Sequence, residues 1–186
     1  MRDPKRVAVL ISGRGSNMRA LVEAAAGYEV SLVASNKLDA DGLAWARARR
    51  VATWARASKG VDKEQYDRLL SAALDQHDIG TVALAGFMRI LSPWFVGEWQ
   101  GRIVNIHPSL LPKYRGLDTH RRAIEANDEV AGCSVHIVTE ELDAGEVLGR
   151  TEVPILQGDT PETLEQRVLA AEHRLYPTIL SEFVNR

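Results

Sequence analysis

The chain has 186 residues, 45% hydrophobic and 26% charged, and its 23 Lys and Arg against 25 Asp and Glu leave a formal charge of −2. This is the composition of one soluble globular domain with a sizeable core, and the near-neutral balance argues against a nucleic-acid partner, which calls for a strongly basic surface. A single cysteine, Cys133, leaves no internal disulfide and fits a reducing compartment; the apolar run Val7–Ile11 is too short for a signal peptide or a membrane span, so a cytoplasmic domain is expected.

Val7-Ala-Val-Leu-Ile11 reads as a strand buried on both faces, stopped by Ser12-Gly13-Arg14-Gly15-Ser16-Asn17. Met18, Leu21, Val22 and Ala25 then recur at helical spacing up to Gly27. Val30–Ala34 predicts a second strand, Asp39–Arg50 a helix, Val51–Ala55 a short strand and Asp62–His77 a helix with Tyr66, Leu69, Leu70 and Ala73 on one face. Ile79–Ala85 is a further buried strand ended by Gly86, and Ser92-Pro93 opens a short helix, since Pro suits a first helical turn. The strand Arg102–Ile106 runs into His107-Pro108, a helix is expected over Leu117–Ala126, and Cys133–Val138 and Val147–Ile155 read as strands. A last helix runs from Thr160 to about Asn185, with Pro177 as a possible kink. Strands alternating with helices imply right-handed crossovers and a single-domain, doubly wound, mostly parallel twisted sheet with helices on both faces. Ligands of such sheets bind beyond the carboxyl ends of the strands, where every polar cluster of this chain falls.

The loop Gly13–Asn17 joins a buried strand to a helix. Glycines permit close backbone approach, and free N–H groups at a helix start favour an anion. The loop lacks the closing Lys of a P-loop and the third glycine of a dinucleotide fingerprint, so a single phosphate is the functional reading and a tight turn the plain one. Asn105-Ile106-His107 places two polar side chains on one face at a strand end. An amide is an oxyanion donor and an imidazole a proton carrier near neutral pH; a hydrogen-bonded structural pair is the competing reading. Asp143, in a turn after another strand, is the carboxylate available to orient the imidazole and raise its pKa, although spacing alone does not bring the two together. Cys133 reads as a small core residue, His136 as a satisfied supporting histidine, Trp45, Trp54, Trp94 and Trp99 as packing, and Arg47, Arg49, Arg50 and Arg56 as a solvated basic face.

The stretches Ile11–Asn17, Leu84–Ser92 and Asn105–Tyr114 resemble those of the phosphoribosylglycinamide formyltransferases, in the folate-dependent formyltransferase family. Ser134–Thr139, Glu141–Asp143 and Glu172-His173 match in the same order, so the resemblance runs from Val7 to about Pro177. It implies transfer of a formyl group from 10-formyltetrahydrofolate, a co-substrate, to the amine of glycinamide ribonucleotide in purine synthesis, without a metal. It implies Asn105, His107 and Asp143 as the catalytic residues, and Gly13, Gly15, Ser16, Asn17, Pro108 and Glu172 as the ribonucleotide site. Lys63, Met88, Arg89, Ile90, Leu91 and Asn105 would hold the folate, so that a phosphate-binding half over about 1–100 precedes a folate and catalytic half over about 101–186. Small-molecule substrates, no nucleic acid, no membrane and a monomer or weak homodimer are expected. Tyr114-Arg115-Gly116 departs from the pattern, because Pro commonly stands before that Gly and Arg is closer to the methionyl-tRNA enzymes. A formyltransferase acting on methionyl-tRNA or an amino sugar, a formyltetrahydrofolate hydrolase, and a non-catalytic folate or phosphate-binding module are the alternatives. The first would add a basic domain, the hydrolase has His-His-Ser in place of His107-Pro108-Ser109, and a binding module has no need of a proton-carrying histidine.

Overall fold

A computed structural model describes residues 2–186. Within it the strands β1 (Arg6–Ile11), β2 (Glu29–Ser35), β3 (Ala52–Ala55), β4 (Thr81–Leu84), β5 (Ile103–His107), β6 (Val130–Ile137) and β7 (Val147–Pro154) form one sheet. Its order is β3-β2-β1-β4-β5-β6-β7. The first five strands are parallel, and β6 and β7 add in antiparallel fashion. The order reverses between β1 and β4, which puts the switch-point crevice above Ile11 and Leu84. This is the doubly wound, mostly parallel sheet expected from the alternating pattern.

The period-two alternation of β1 sorts its residues between two cores. Val7, Val9 and Ile11 pack with Met18 and Leu21 of helix α1 (Ser16–Glu23), Leu43 of α2 (Asp41–Ala48), Ala123 of α5 (Thr119–Glu125) and Leu164 of α6 (Pro161–Val184). Ala8 and Leu10 face the opposite way, onto Tyr66 and Leu70 of α3 (Lys63–Gln76) and Phe95 of α4 (Pro93–Glu98). Val7–Ile11 of β1 is fully buried on both faces, which is why this run is uninterrupted apolar rather than alternating.

Element ends differ from the sequence expectation where local hydrogen bonds compete. Helix α1 stops at Glu23 instead of continuing to Ala25, because Ala24 caps it and the Ala26 carbonyl accepts from Ser181 Oγ. Helix α5 starts at Thr119 rather than Leu117, since Asp118 is left-handed with φ 58°. Strand β6 begins three residues before Cys133, because pairing with β7 extends back to Val130 opposite Pro154. Helix α6 is one element through Pro177, capped by Thr160, whose hydroxyl accepts from Thr163 N. Among the described residues no helix is long and apolar enough to cross a membrane.

Candidate active site

The glycine loop leaves β1 at the switch point. Gly15 holds φ +70°, and a Cβ there would lie 2.9 Å from Met18 Cε, so a side chain at this position is both strained and crowded. Gly13 faces open space instead, and its carbonyl accepts from Gly42 N at 3.2 Å. Helix α1 has no side-chain cap and no acidic residue in its first turn, so the N–H groups at Ser16 and Asn17 lie at an unneutralised positive helix end. Ser12 stitches this loop to its neighbours: its N–H donates to Gly86 O at 3.1 Å, its hydroxyl donates to Asn36 Oδ1 at 2.6 Å, and it accepts from Met88 N at 2.8 Å.

Asn17 and Glu172, 155 residues apart, meet where α1 packs on α6: Asn17 Nδ2 donates to Glu172 Oε2 at 2.7 Å. Both are buried. Burial pushes the Glu172 carboxyl up to about 7, and the Asn17 hydrogen bond offsets this only in part. Asn17 Oδ1 is buried without a partner, an acceptor aimed at nothing in the protein.

At the carboxyl end of β5, Asn105 and His107 do share one face, as their spacing requires. The antiparallel register sets Asn105 opposite His136 and His107 opposite Ser134. His136 Nδ1 lies 2.9 Å from the Ile137 carbonyl and therefore donates to it; Nε2 then accepts from Asn105 Nδ2 at 3.2 Å, which fixes the direction of the amide. The loop after β6 returns Asp143 to the same place. Its Oδ2 is 3.4 Å from His107 Nδ1 and its Oδ1 is 3.6 Å from His136 Nε2, and Oδ2 also accepts from Gly116 N at 2.9 Å. Asp143 is thus brought beside His107, which spacing alone did not establish. His136 has both ring nitrogens engaged and supports Asn105, in keeping with the satisfied supporting histidine suggested by its alternation with Val135 and Ile137; the antiparallel register sets it directly against the cluster.

The electrostatics correct one expectation. Asp143 and a hydrogen bond to the Tyr114 carbonyl both push the His107 pKa up, but burial outweighs them and the net shift is down. The imidazole rests neutral. Burial also opposes ionisation of Asp143, yet the adjacent His136 ring, the hydrogen bond from Gly116 N–H and the nearby His107 ring together carry its pKa below the ordinary value. The carboxylate remains ionised. Cys133 is fully buried and its thiol is pushed up to about 12 by burial, so it is an inert core residue.

Gly86–Ser92 forms the wall beside the crevice. Met88 and Ile90 are 69% exposed, whereas Leu91 is buried against Phe95 and offers only backbone. Arg89 crosses back to α3, stacking its guanidinium 4.5 Å from the Tyr66 ring centre and donating to the Lys63 carbonyl at 3.1 Å. The fully buried Asp67 accepts from Ser92 N at 2.6 Å and lies 3.6 Å from Arg89 Nε. Lys63 itself is an exposed first residue of α3. Leu117 and Leu142, 74% and 56% exposed, flank the bonded pair Gly116 and Asp143; these apolar rim residues are not legible in the sequence, where isolated leucines carry no signal. The departing residue Arg115 donates to Glu141 Oε1 at 2.6 Å, tying the loop after β5 to the loop that carries Asp143. Pro108 follows His107 directly and is half-buried.

The chain is similar to known proteins over nearly its whole length. The family model described as formyl transferase matches residues 5–180. The chain is 47% identical over 184 residues to phosphoribosylglycinamide formyltransferase of Escherichia coli strain K12, covering 96% of this chain and 87% of that protein. It is 43% identical over 185 residues to the trifunctional purine biosynthetic protein adenosine-3 of Gallus gallus, covering 94% of this chain and 18% of that much longer protein. The crystal structure of phosphoribosylglycinamide formyltransferase from Brucella melitensis superposes with a TM-score of 0.92 at 48% identity, over 98% of this chain and 96% of that one.

Proposed function

The chain belongs to the formyl transferase family, and on that premise we propose that it transfers the formyl group of 10-formyltetrahydrofolate to the amine of 5′-phosphoribosylglycinamide, in purine biosynthesis. The observation that carries the reading is the convergence of Asn105, His107 and Asp143 at the carboxyl edge of the sheet, with Asp143 Oδ2 at 3.4 Å from His107 Nδ1. The ribonucleotide phosphate lies on Gly13, Gly15, Ser16 and Asn17 at the start of α1. The ribose hydroxyls and amide N–H of the ribonucleotide supply the donor that Asn17 Oδ1 lacks and reach Glu172, with Pro108 closing the wall. The folate lies along Met88, Arg89, Ile90 and Leu91, reading backbone at its heterocycle, with Lys63 toward its acidic end and Asn105 at the formyl group.

The amine attacks the formyl carbon, forming the new C–N bond while the carbonyl oxygen takes up negative charge. Asn105, held by His136, donates to that oxyanion. His107, neutral at rest, takes the proton that the amine gives up; the resulting imidazolium adds its charge beside the oxyanion and is stabilised by Asp143. The same proton passes to the departing folate nitrogen as its C–N bond breaks, so no net proton is gained or lost. Each ligand draws on both parts of the chain, the ribonucleotide on the loop after β1 and on α6, the folate on the loop after β4 and on β5. A cytoplasmic setting fits these soluble substrates. The test is formyl transfer by the purified protein, followed as tetrahydrofolate release with both substrates present. Turnover that requires both and is lost in His107→Ala is expected; absence of turnover with the ribonucleotide, or full activity in that variant, defeats the reading.

A further inference from the structure

We propose that Asp128 and Tyr114 are positioning residues for His107: Asp128 grips the Tyr114 hydroxyl, and Tyr114 in turn aims its own backbone carbonyl at His107 Nε2. The proposal rests on the reading of His107 as the proton carrier.

Tyr114 is left-handed, with φ 54°, a conformation that a bulky residue adopts only when its surroundings impose it. Its carbonyl is 2.9 Å from His107 Nε2. The carbonyl and the ionised Asp143 both only accept; the carbonyl makes the hydrogen bond, at 2.9 Å against 3.4 Å for Asp143 Oδ2, so in the neutral ring Nε2 holds the proton and the lone pair is left on Nδ1, the atom that faces Asp143. The carbonyl therefore decides which nitrogen is free to take a proton during transfer. Reversing the tautomer would put the acceptor on the wrong side of the ring.

What holds that carbonyl in place is at the far end of the same residue. The Tyr114 hydroxyl donates to Asp128 Oδ2 at 2.8 Å, and Asp128 accepts from Lys113 Nζ at 3.0 Å on both oxygens. Asp128 is itself fixed directly after α5, its N–H donating to the Ala123 carbonyl at 3.1 Å. The Tyr114 ring lies between Arg122, at 5.1 Å, and Lys113, at 5.8 Å. Packing alone does not supply this support, because a cavity of about 200 Å³ lies behind the loop, bordered by Pro108, Ala123, Val130 and Ala131. Without the Asp128 bond the ring has room to shift, and the carbonyl shifts with it. The charged and titratable groups that face His107 are Asp143 after β6, His136 on β6, and His120 and Arg122 on α5; of these only Arg122 also touches the clamp, at the Tyr114 ring.

The test uses the full chain. In Tyr114→Phe and Asp128→Ala, kcat is expected to fall about ten- to a hundredfold with little change in KM for either substrate. The double variant should lose no more than the worse single one. Asp128→Asn, which keeps an acceptor for the hydroxyl, should recover most of the Asp128→Ala loss. Nitrogen-15 spectra of labelled histidine, with His107 assigned by its absence in His107→Ala, should show the Nε2–H tautomer in the parent and a mixture in Tyr114→Phe. The inflection of kcat against pH should move to lower pH, since the lost hydrogen bond favoured the protonated ring. An unchanged tautomer in Tyr114→Phe overturns the proposal, whether kcat stays at the parent value or falls only in step with thermal stability, provided His107→Ala is dead. Retained turnover in His107→Ala overturns the catalytic reading beneath it instead.

Discussion

Replacing Glu172 by Gln should make the protein more stable and a poorer enzyme. The carboxyl is buried on α6, only 6% exposed, and its pKa is raised from 4.5 to about 7. In the unfolded chain it ionises near 4.5, while the folded state holds the proton until about 7, so the folded protein binds the extra proton and stability falls as pH rises through that window. A shift of this size corresponds to about 3 kcal/mol at pH 8.5, where the buried group is charged, and to about 1 kcal/mol at pH 5.5. Glu172→Gln keeps an oxygen for the Asn17 amide and removes the charge. Urea unfolding of both proteins across that pH range should show the stability gain of the variant growing by about 2 kcal/mol between the two ends. The ribonucleotide KM should rise at the same time, because the carboxylate is retained for binding rather than for folding. A variant less stable than the parent at pH 8.5, or a difference that does not change with pH, would refute the argument that burial dominates this group.

Gly15→Val forces a β-branched residue into the left-handed region against Met18, which costs on the order of 1–3 kcal/mol; the ribonucleotide KM should rise in steady-state assays while folate affinity changes little. Asp143→Asn keeps the shape and removes the charge that favours protonated His107, so kcat should drop about a hundredfold or more and the pH inflection move down; parent-like turnover would make the carboxylate structural. Ile90→Asp places a charge on an exposed apolar wall residue and should weaken folate binding, measured by fluorescence titration, with ribonucleotide binding preserved. Equal losses of both ligands there would point to unfolding and remove the wall assignment.

Much of this architecture is legible from local pattern. The apolar run Val7–Ile11 announces a strand buried on both faces because its alternate residues enter two different cores, and Thr160-Pro161 marks the start of α6 because both residues solve problems of a first helical turn. Asn105 and His107 are legible as a pair for the same reason, being two apart on a strand. The contacts that complete the site are not local. Asp143 reaches His107 through a left-handed turn that no residue preference demands of an Asp, and His136 joins only through the antiparallel register of β5 and β6. Asn17 and Glu172 depend on where α6 lands after the whole sheet has formed. The net direction of the His107 pKa is not legible in the sequence, because a charged neighbour can be guessed there whereas the extent of burial cannot.

The Ser12 hydroxyl, shared between Asn36 and Met88, constrains how this scaffold can change over evolutionary time. Three loops, leaving β1, β2 and β4, are joined by one oxygen at the crevice. An insertion that lengthens any of them breaks a hydrogen bond in another, so new specificity cannot be acquired there one loop at a time. The segment between β6 and β7 is bound differently: Val138 is fixed at its start by a hydrogen bond to the Ile103 carbonyl at 2.9 Å and Asp143 at its end, while between them the tie is the exposed Arg115–Glu141 pair, and exposed pairs of this kind contribute little to stability. Insertions around 139–142 that spare Val138 and Asp143 are therefore the cheaper route, and a library diversified there should yield folded proteins more often than one diversified in the glycine loop.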